Sequence, residues 1–314
     1  MAILKLKAAT KDYLWGGNKL VTDFGKTPAG DVTAESWELS CYPGSESVIE
    51  NGDFAGKTIT DYISEKGKGV LGSKCGKFED FPVLIKFIDA KKDLSLQVHP
   101  SDEYARKYEN QYGKTEMWYI IDAEEDAFLY YGFKREISKE EFARRIEDQT
   151  LTEVLNPYHV KKGDVVFIES GTIHAIGAGI LLAEIQQNSN VTYRVYDYGR
   201  RDKNGNLREL HVDKALEVTT LAPAKRVDPV DGHIGSCKYF AVDRVTLSGK
   251  ITDKITGTVS DETFLHILIL DGQGRIVNGS DELEYKKGDS FFLPAGSGDY
   301  EITGKCEALI TYEE

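Results

Sequence analysis

Four polar islands cut into sequence that otherwise reads as short β-strands, and they limit what this chain can fold into. They are Gln97-Val98-His99-Pro100, Lys114-Thr115-Glu116-Met117-Trp118-Tyr119, Glu169-Ser170-Gly171-Thr172-Ile173-His174-Ala175, and the longer run from Glu184 through Gln186, Gln187 and Asn190 to Arg194. In an extended strand, residues two apart point to one face, so Gln97 and His99 can reach the same interior point. Glu116 falls in another strand, where Met117 and Tyr119 face the opposite way. His174 follows a Gly turn that brings it to a strand end. Buried Glu and Gln among apolar neighbours are costly unless something pairs with them. Ligands from three separated segments suit a barrel interior, where strands converge. Two imidazoles, a carboxylate and an amide oxygen are chemically reasonable ligands for a divalent metal such as Zn²⁺. His159, His211, His233 and His266 read instead as ordinary core or surface residues.

The strands around the islands are legible from composition. Phe81–Ile88 is apolar and β-branched between polar segments, and Thr115–Ile121, Asp164–Ile168, Ile180–Gln186 and Phe264–Leu270 read the same way. Many short strands with Gly-rich turns predict a mainly β sandwich or barrel. Two stretches read as helix. Ser138-Lys139-Glu140-Glu141 has the capping-box pattern, and Phe142 and Ile146 lie four apart on one face, which predicts a helix over roughly 138–155. Asp102–Tyr108 is a weaker candidate.

An internal repeat divides the chain. Lys161-Lys162-Gly163-Asp164 and Lys286-Lys287-Gly288-Asp289 each precede a four-residue strand, two further residues and a Gly. The next polar position is His174 in the first copy and Asp299 in the second. The match predicts two related barrels. The first, a metal-binding domain over residues 1–235, carries a helical insertion at about 101–157; the second, metal-free, covers 236–314.

A formal charge of −13 argues against nucleic acid and anionic membrane as partners. Cys41, Cys75, Cys237 and Cys306 are scattered, with no C-x-x-C pair, so neither a disulfide framework nor a thiolate metal site is expected. Free thiols fit a reducing, cytoplasmic setting. The opening Met-Ala-Ile-Leu-Lys-Leu-Lys reads as too charged for a secretory leader, and no apolar run approaches membrane-spanning length.

The order, spacing and flanks of the islands resemble those of type I phosphomannose isomerases, zinc cupins that interconvert mannose 6-phosphate and fructose 6-phosphate. Trp15-Gly16-Gly17, Glu35-Ser36-Trp37-Glu38 and Tyr196-Asp197-Tyr198 resemble that family too, and the likeness covers most of residues 10–220. It implies two cupin (jelly-roll) β-barrels, one Zn²⁺ per chain held by Gln97, His99, Glu116 and His174, and a small phosphorylated sugar as substrate. Arg194, expected on one face with Tyr196 and Tyr198, corresponds to the family's active-site arginine and would stabilise charge, unless it serves as an ion-pair partner of Glu184 or Asp197. Lys86, Lys114 and Ser95 match positions that line the family's pocket. The proton-transferring base is left open between Glu184, Lys114 and a metal-bound water.

One departure stands out. Many members have His-Lys-Pro-Glu where this chain has Gly113-Lys114-Thr115-Glu116, so no role of that His carries over. Two other readings compete. Two His and a carboxylate also make the iron site of a cupin oxygenase, although Gln97 would fill a position that oxygen needs. A non-catalytic sugar-binding cupin would keep the metal but has no use for Arg194 and Glu184 beside it.

Overall fold

The buried apolar runs become a sheet covered on both faces. It has six antiparallel strands in the order Val165–Ile168, Glu116–Ala123, Ile180–Gln187, Val83–Ala90, Glu35–Leu39 and Ala9–Lys11. All eight residues of Val83–Ala90 and of Ile180–Gln187 are buried, which is why neither run alternates in polarity. This computed structural model describes residues 3–201, 205–230 and 232–314; Met1 and Ala2, the start of the segment expected to be no leader, lie outside them.

A five-stranded sheet covers one face, in the order Tyr193–Tyr196, Leu96–Val98, His174–Ile176, Phe128–Phe133 and Leu155–His159. Ile88, Trp118, Ile120 and Leu182 of the middle sheet pack against Leu129, Tyr131 and Ile176 of this one. The helices Lys139–Glu147 and Val212–Val218 lie on its outer side, burying Phe142 and Ala215 with Phe133, Leu155, Val195 and Val98. On its other face the middle sheet presents Ile85, Phe87, Met117 and Ile185 to Phe240, Leu268, Phe292 and Leu309 of a nine-stranded C-terminal sheet. That sheet closes on an interior of Ile267, Ile269, Ile276, Phe291, Leu293 and Ile302. It also takes in the N-terminal strand Leu4–Lys7, which pairs with Ser290–Leu293. The chain is therefore mainly β with two cupin barrels. No helix among the described residues is long and apolar enough to cross a membrane.

Both copies of the repeat make the same turn. Asp164 accepts from the Lys161 amide and Asp289 from the Lys286 amide, each at 2.9 Å. The intervening glycines sit at φ 91° and 90°, where a side chain is strained. The following strands pair in matching register, Ile168 with Glu116 and Leu293 with Leu265. The second barrel thus carries Leu265 where the first carries Glu116, and Asp299 accepts from the Thr258 hydroxyl at an exposed edge.

The helical expectations need adjustment. The interval 101–157 holds the helices Asp102–Tyr108 and Lys139–Glu147, but also Glu116–Ala123 and Phe128–Phe133, which are integral strands. The second helix stops at Glu147 rather than near 155, and Gln149 turns left-handed at φ 56°. Its capping box is half formed. Ser138 accepts from the Glu141 amide at 3.1 Å, but the Glu141 carboxylate is taken by Arg135 at 3.0 and 2.6 Å. A reciprocal box forms instead between Thr58 and Asp61, both bonds at 3.0 Å. The strand expected over Phe264–Leu270 runs as Leu265–Asn278.

His266 is buried with Nε2 against the Ser290 hydroxyl at 2.9 Å, and that hydroxyl donates to the Glu38 carbonyl at 3.0 Å. Nε2 therefore carries the proton, and Nδ1 faces the core without a partner. Burial, and then Lys26, push its pKa down to about 3. The folded chain binds this proton less readily than the unfolded one, so stability is full above about pH 6.5 and falls as pH drops toward the folded value. At pH 5 the loss amounts to about 2 kcal/mol. Urea unfolding at pH 7.5 and pH 5 measures it: His266→Gln, which cannot take the proton, should show a drop smaller by that amount, and equal drops would refute the assignment.

Candidate metal centre and adjoining cavity

Cross-strand register aims the functional side chains into the space between the six- and five-stranded sheets. On the five-stranded sheet Arg194, Gln97 and His174 are direct neighbours in one row. On the facing sheet Trp37, Lys86, Glu184 and Trp118 form another. Glu116 lies two residues before Trp118 and so shares its face. His99 follows directly after the strand Leu96–Val98 and reaches the same interior.

Three of these groups converge. The nearest ligand atoms of His99, Glu116 and His174 all lie within 4.8 Å of one another, and the residues are at most 1% exposed. His174 Nε2 is 3.3 Å from Glu116 Oε1, and His99 Nε2 is 3.6 Å from Oε2. The far nitrogens fix the tautomers. His99 Nδ1 meets the Val191 carbonyl at 2.8 Å and His174 Nδ1 the Thr172 carbonyl at 2.9 Å. A carbonyl only accepts, so each Nδ1 carries the proton and each Nε2 turns a lone pair toward the centre. Both imidazoles are held neutral. Burial and then Lys114 push His99 well below its ordinary value, and burial takes His174 to about 4.

Glu116 Oε1 is buried with no hydrogen-bond partner. Gln97 sets its amide 3.3 Å from His174 Nε2, so it reaches the same point. Lys114 Nζ bonds His99 Nε2 at 3.2 Å and also Glu116 Oε2, which shows that these atoms are arranged to face positive charge. Two neutral imidazole lone pairs and an unpartnered carboxylate oxygen fit a small divalent cation.

Above this cluster opens a cavity of about 240 Å³, lined by Gln97, Ser95 and the buried Lys86, Lys114 and Glu184, with the part-exposed Arg194 toward its mouth. The structure thus brings together the nine residues singled out from the sequence: six line the cavity and three lie beneath it. A larger cavity of about 740 Å³, beside Cys41, Phe81 and Tyr112, contains none of them.

The charges at the inner end are interlocked. Lys86 Nζ is 3.1 Å from Glu184 and 3.7 Å from Glu35, and Lys114 Nζ is 3.7 Å from Glu184. Burial opposes ionisation of Glu184, yet Lys114, Lys86 and a 2.9 Å hydrogen bond from Trp118 hold its carboxyl well below the usual range. Burial and the nearby Glu184 push Glu116 the other way. Lys86 stays charged despite its burial because Glu184 and Glu35 raise its affinity for the proton.

Among the described residues the Arg194 guanidinium makes its bonds outside the three ligand residues. Its Nε donates to the Ser95 hydroxyl at 3.2 Å and its Nη1 to the Glu209 carbonyl at 3.0 Å. Asp197, one of its expected partners, is bound by Arg200 and Arg208. The alternation expected over 191–198 ends at Tyr196, since Tyr198 lies past the strand at φ 55°.

Tyr13, Glu35, Asn190, Thr192 and Arg208 also line the cavity and were not singled out. Asn190 and Thr192 alternate with Arg194, a signal that was available. Glu35 stands in the fully buried strand Glu35–Leu39, which also buries Glu38, so a charged residue was not by itself a distinguishing signal there. Arg208 had no local signal among the charged residues around it. The Trp15-Gly16-Gly17 run is explained by close approach: a Cβ on Gly16 would sit 2.6 Å from Ala34 Cα, and one on Gly17 would sit 2.3 Å from Asp89. Gly113 is equally confined, because a Cβ there would meet the Ser101–Asp102 backbone at 2.5 Å.

The fold and site define a two-barrel cupin with, among the described residues, one His-Glu-His cluster beneath a charged cavity. Residues 3–128 match the family model described as phosphomannose isomerase type I, catalytic domain, and residues 232–313 match that of the mannose-6-phosphate isomerase cupin domain. Mannose-6-phosphate isomerase ManA of Bacillus subtilis is 39% identical over 98% of both chains, and the Streptococcus mutans mannose-6-phosphate isomerase is 34% identical over 98% of both. A crystal structure of the mannose 6-phosphate isomerase from Bacillus subtilis superposes with a TM-score of 0.90, at 34% identity and 99% coverage of each chain. The chain belongs to the type I phosphomannose isomerase family.

Metal analysis checks the asymmetry between the barrels. Asp299→Ala should leave the metal content unchanged, whereas Glu116→Ala should lower metal affinity steeply. Loss of bound metal in the Asp299 variant would contradict the expectation that the second barrel is metal-free.

Proposed function

We propose that this chain is a zinc-dependent aldose–ketose isomerase that interconverts mannose 6-phosphate and fructose 6-phosphate, moving a proton between adjacent carbons through an enediol. The observation that carries the reading is the buried His99–Glu116–His174 cluster on the floor of a cavity with paired lysines and carboxylates. Similarity along the whole chain to mannose-6-phosphate isomerases supports the choice of substrate.

His99, Glu116 and His174, with Gln97 as the weaker fourth group, would hold the zinc. When bound there, it supplies Lewis acidity toward the carbonyl and hydroxyl oxygens of the reacting carbons. The chain's own groups do the rest. Lys86 and Lys114 donate hydrogen bonds to substrate hydroxyls and stabilise negative charge as it develops on oxygen. Glu184 is ionised, so it can accept a proton, but its two lysines make it a weak base. Substrate hydroxyls that take hydrogen bonds from those lysines weaken the ion pairs and return basicity to Glu184, which we assign as the base. Ser95 and Arg194 hold the substrate at the mouth. Gly113 leaves no room for a side chain, so proton transfer falls to groups on the strands.

A coupled assay with mannose 6-phosphate tests the reading. The zinc-loaded chain should turn over; a chain that binds the sugar phosphate without converting it would instead be a sugar-binding cupin. His99→Ala and His174→Ala should lose both zinc and activity, while Gln97→Ala should be milder, since water can replace an amide. Glu184→Gln should keep zinc and lower kcat by roughly 10²–10⁴-fold. Full zinc occupancy in both His variants would sink the metal assignment.

A further inference from the structure

We propose that Arg208 is a substrate-positioning residue that grips the phosphate end of the sugar together with Arg194, and so fixes which way round the substrate enters. The proposal rests on the isomerase reading above and adds a residue and a polarity to it.

Charge is distributed unevenly along the cavity. At the inner end Lys86 and Lys114 face Glu184, Glu35 and Glu116, two cations against three carboxyl groups. Around the mouth three guanidiniums, Arg194, Arg200 and Arg208, share one carboxylate, that of Asp197. Among the described residues no carboxylate lies within 4.0 Å of the Arg194 guanidinium, whose bonds go to a hydroxyl and a carbonyl. Even with the Glu209 carboxylate also acting on Arg194, the guanidiniums outnumber the carboxylates near the mouth among the described residues, in a chain whose formal charge is −13. That surplus suits a phosphate monoester.

Arg208 is the member with donors to spare. Arg200 takes Asp197 through Nη2 and through Nε at 3.0 Å, while Arg208 meets the same carboxylate only through Nη1 at 3.4 Å. Both Arg194 and Arg208 line the cavity. Burial, and then the charge of Arg208, make the Arg194 guanidinium less favourable than it is in water. Two like charges held toward one space gain from an anion between them, and the planar guanidinium fork suits phosphate oxygens. Tyr13 lines the same region, its hydroxyl kept protonated by burial, and adds a neutral donor.

The two ends also lie apart. Lys114 touches His99 at the floor, whereas Arg194 turns to Ser95, one pleat along the strand direction from Gln97. The phosphate on C6 then sits at the mouth, and the reacting carbons sit above the cluster.

The experiment uses the full zinc-loaded chain and the variants Arg208→Ala and Arg208→Lys. For the alanine variant KM for mannose 6-phosphate should rise roughly 10–100-fold, the scale of losing a charged hydrogen bond. Its kcat should change by less than about threefold, because the contact is made equally before and during the reaction. Calorimetric titration with inorganic phosphate should show a matching loss of affinity, with zinc content unchanged. Arg208→Lys, which keeps a charge for Asp197 but not the fork, should recover part of both losses, and it carries the same readouts if the alanine variant does not fold. Unchanged KM and phosphate affinity would reduce Arg208 to a structural partner of Asp197. A fall in kcat at constant KM would also overturn the proposal. A wild-type chain that binds phosphate through Arg208 yet does not isomerise the sugar would refute the isomerase reading and leave the anion site standing.

Discussion

Because the six-stranded sheet is covered on both faces, every charged side chain it buries must find its partner inside the protein. Desolvating a single ion costs several kcal/mol, and removing one member of a buried pair typically costs about 3–5 kcal/mol because the other is stranded. Lys86, Glu184, Glu35, Lys114 and Glu116 are consequently interlocked, each within 4 Å of another. Positions that the chemistry needs are held by the same contacts that the fold needs. Glu116 Oε1, left without a hydrogen-bond partner in this web, is where a divalent cation would relieve the remaining cost.

The two barrels share a turn and a strand register but divide the labour by what fills them. In the first, the inner row is polar and the space remains open; in the second, Leu265 replaces Glu116 and the interior closes on Ile, Leu and Phe. The filled barrel supplies Phe240, Leu268, Phe292 and Leu309 to the back of the middle sheet. Without that cover, Ile85, Phe87, Met117 and Ile185 would face water as a contiguous apolar patch, which soluble proteins avoid. The second barrel, which carries no His-Glu-His cluster among the described residues, thus still sets the conditions under which the first can bury its charges.

How much of this was legible follows from the range of each signal. Strand alternation and buried polarity act within a few residues, so the ligand islands, Lys86 and the repeat could be read directly. Helix ends were misjudged where a side chain had two uses: Glu141 matches a capping box, but Arg135 binds its carboxylate, a competition visible only once the loop is folded. Arg208 and Tyr13 meet in the cavity from segments almost two hundred residues apart, and neither stands on a patterned strand. Tertiary closure creates that part of the site, and no local pattern encodes it.

The loop carrying Lys114 shows why a departure from the family pattern need not be a defect. Asp102 Oδ1 accepts from the Gly113 amide and from the Gln187 side chain, both at 2.8 Å, and Gln187 accepts from the Thr115 amide at 2.8 Å. The Lys114 amide closes the set by donating to the Pro100 carbonyl at 3.1 Å. These bonds pull the loop flat against the start of the helix Asp102–Tyr108, so tightly that a Cβ at position 113 would collide with its backbone. The same closeness turns Lys114 inward onto His99 and Glu116. A His at 113 and a Lys at 114 in this orientation are therefore mutually exclusive on this backbone. The chain gives up one titratable group next to the cluster and gains a rigidly directed ammonium. In the proposed isomerase reading, the carboxylate that faces that ammonium, Glu184, is then the group assigned to move the proton.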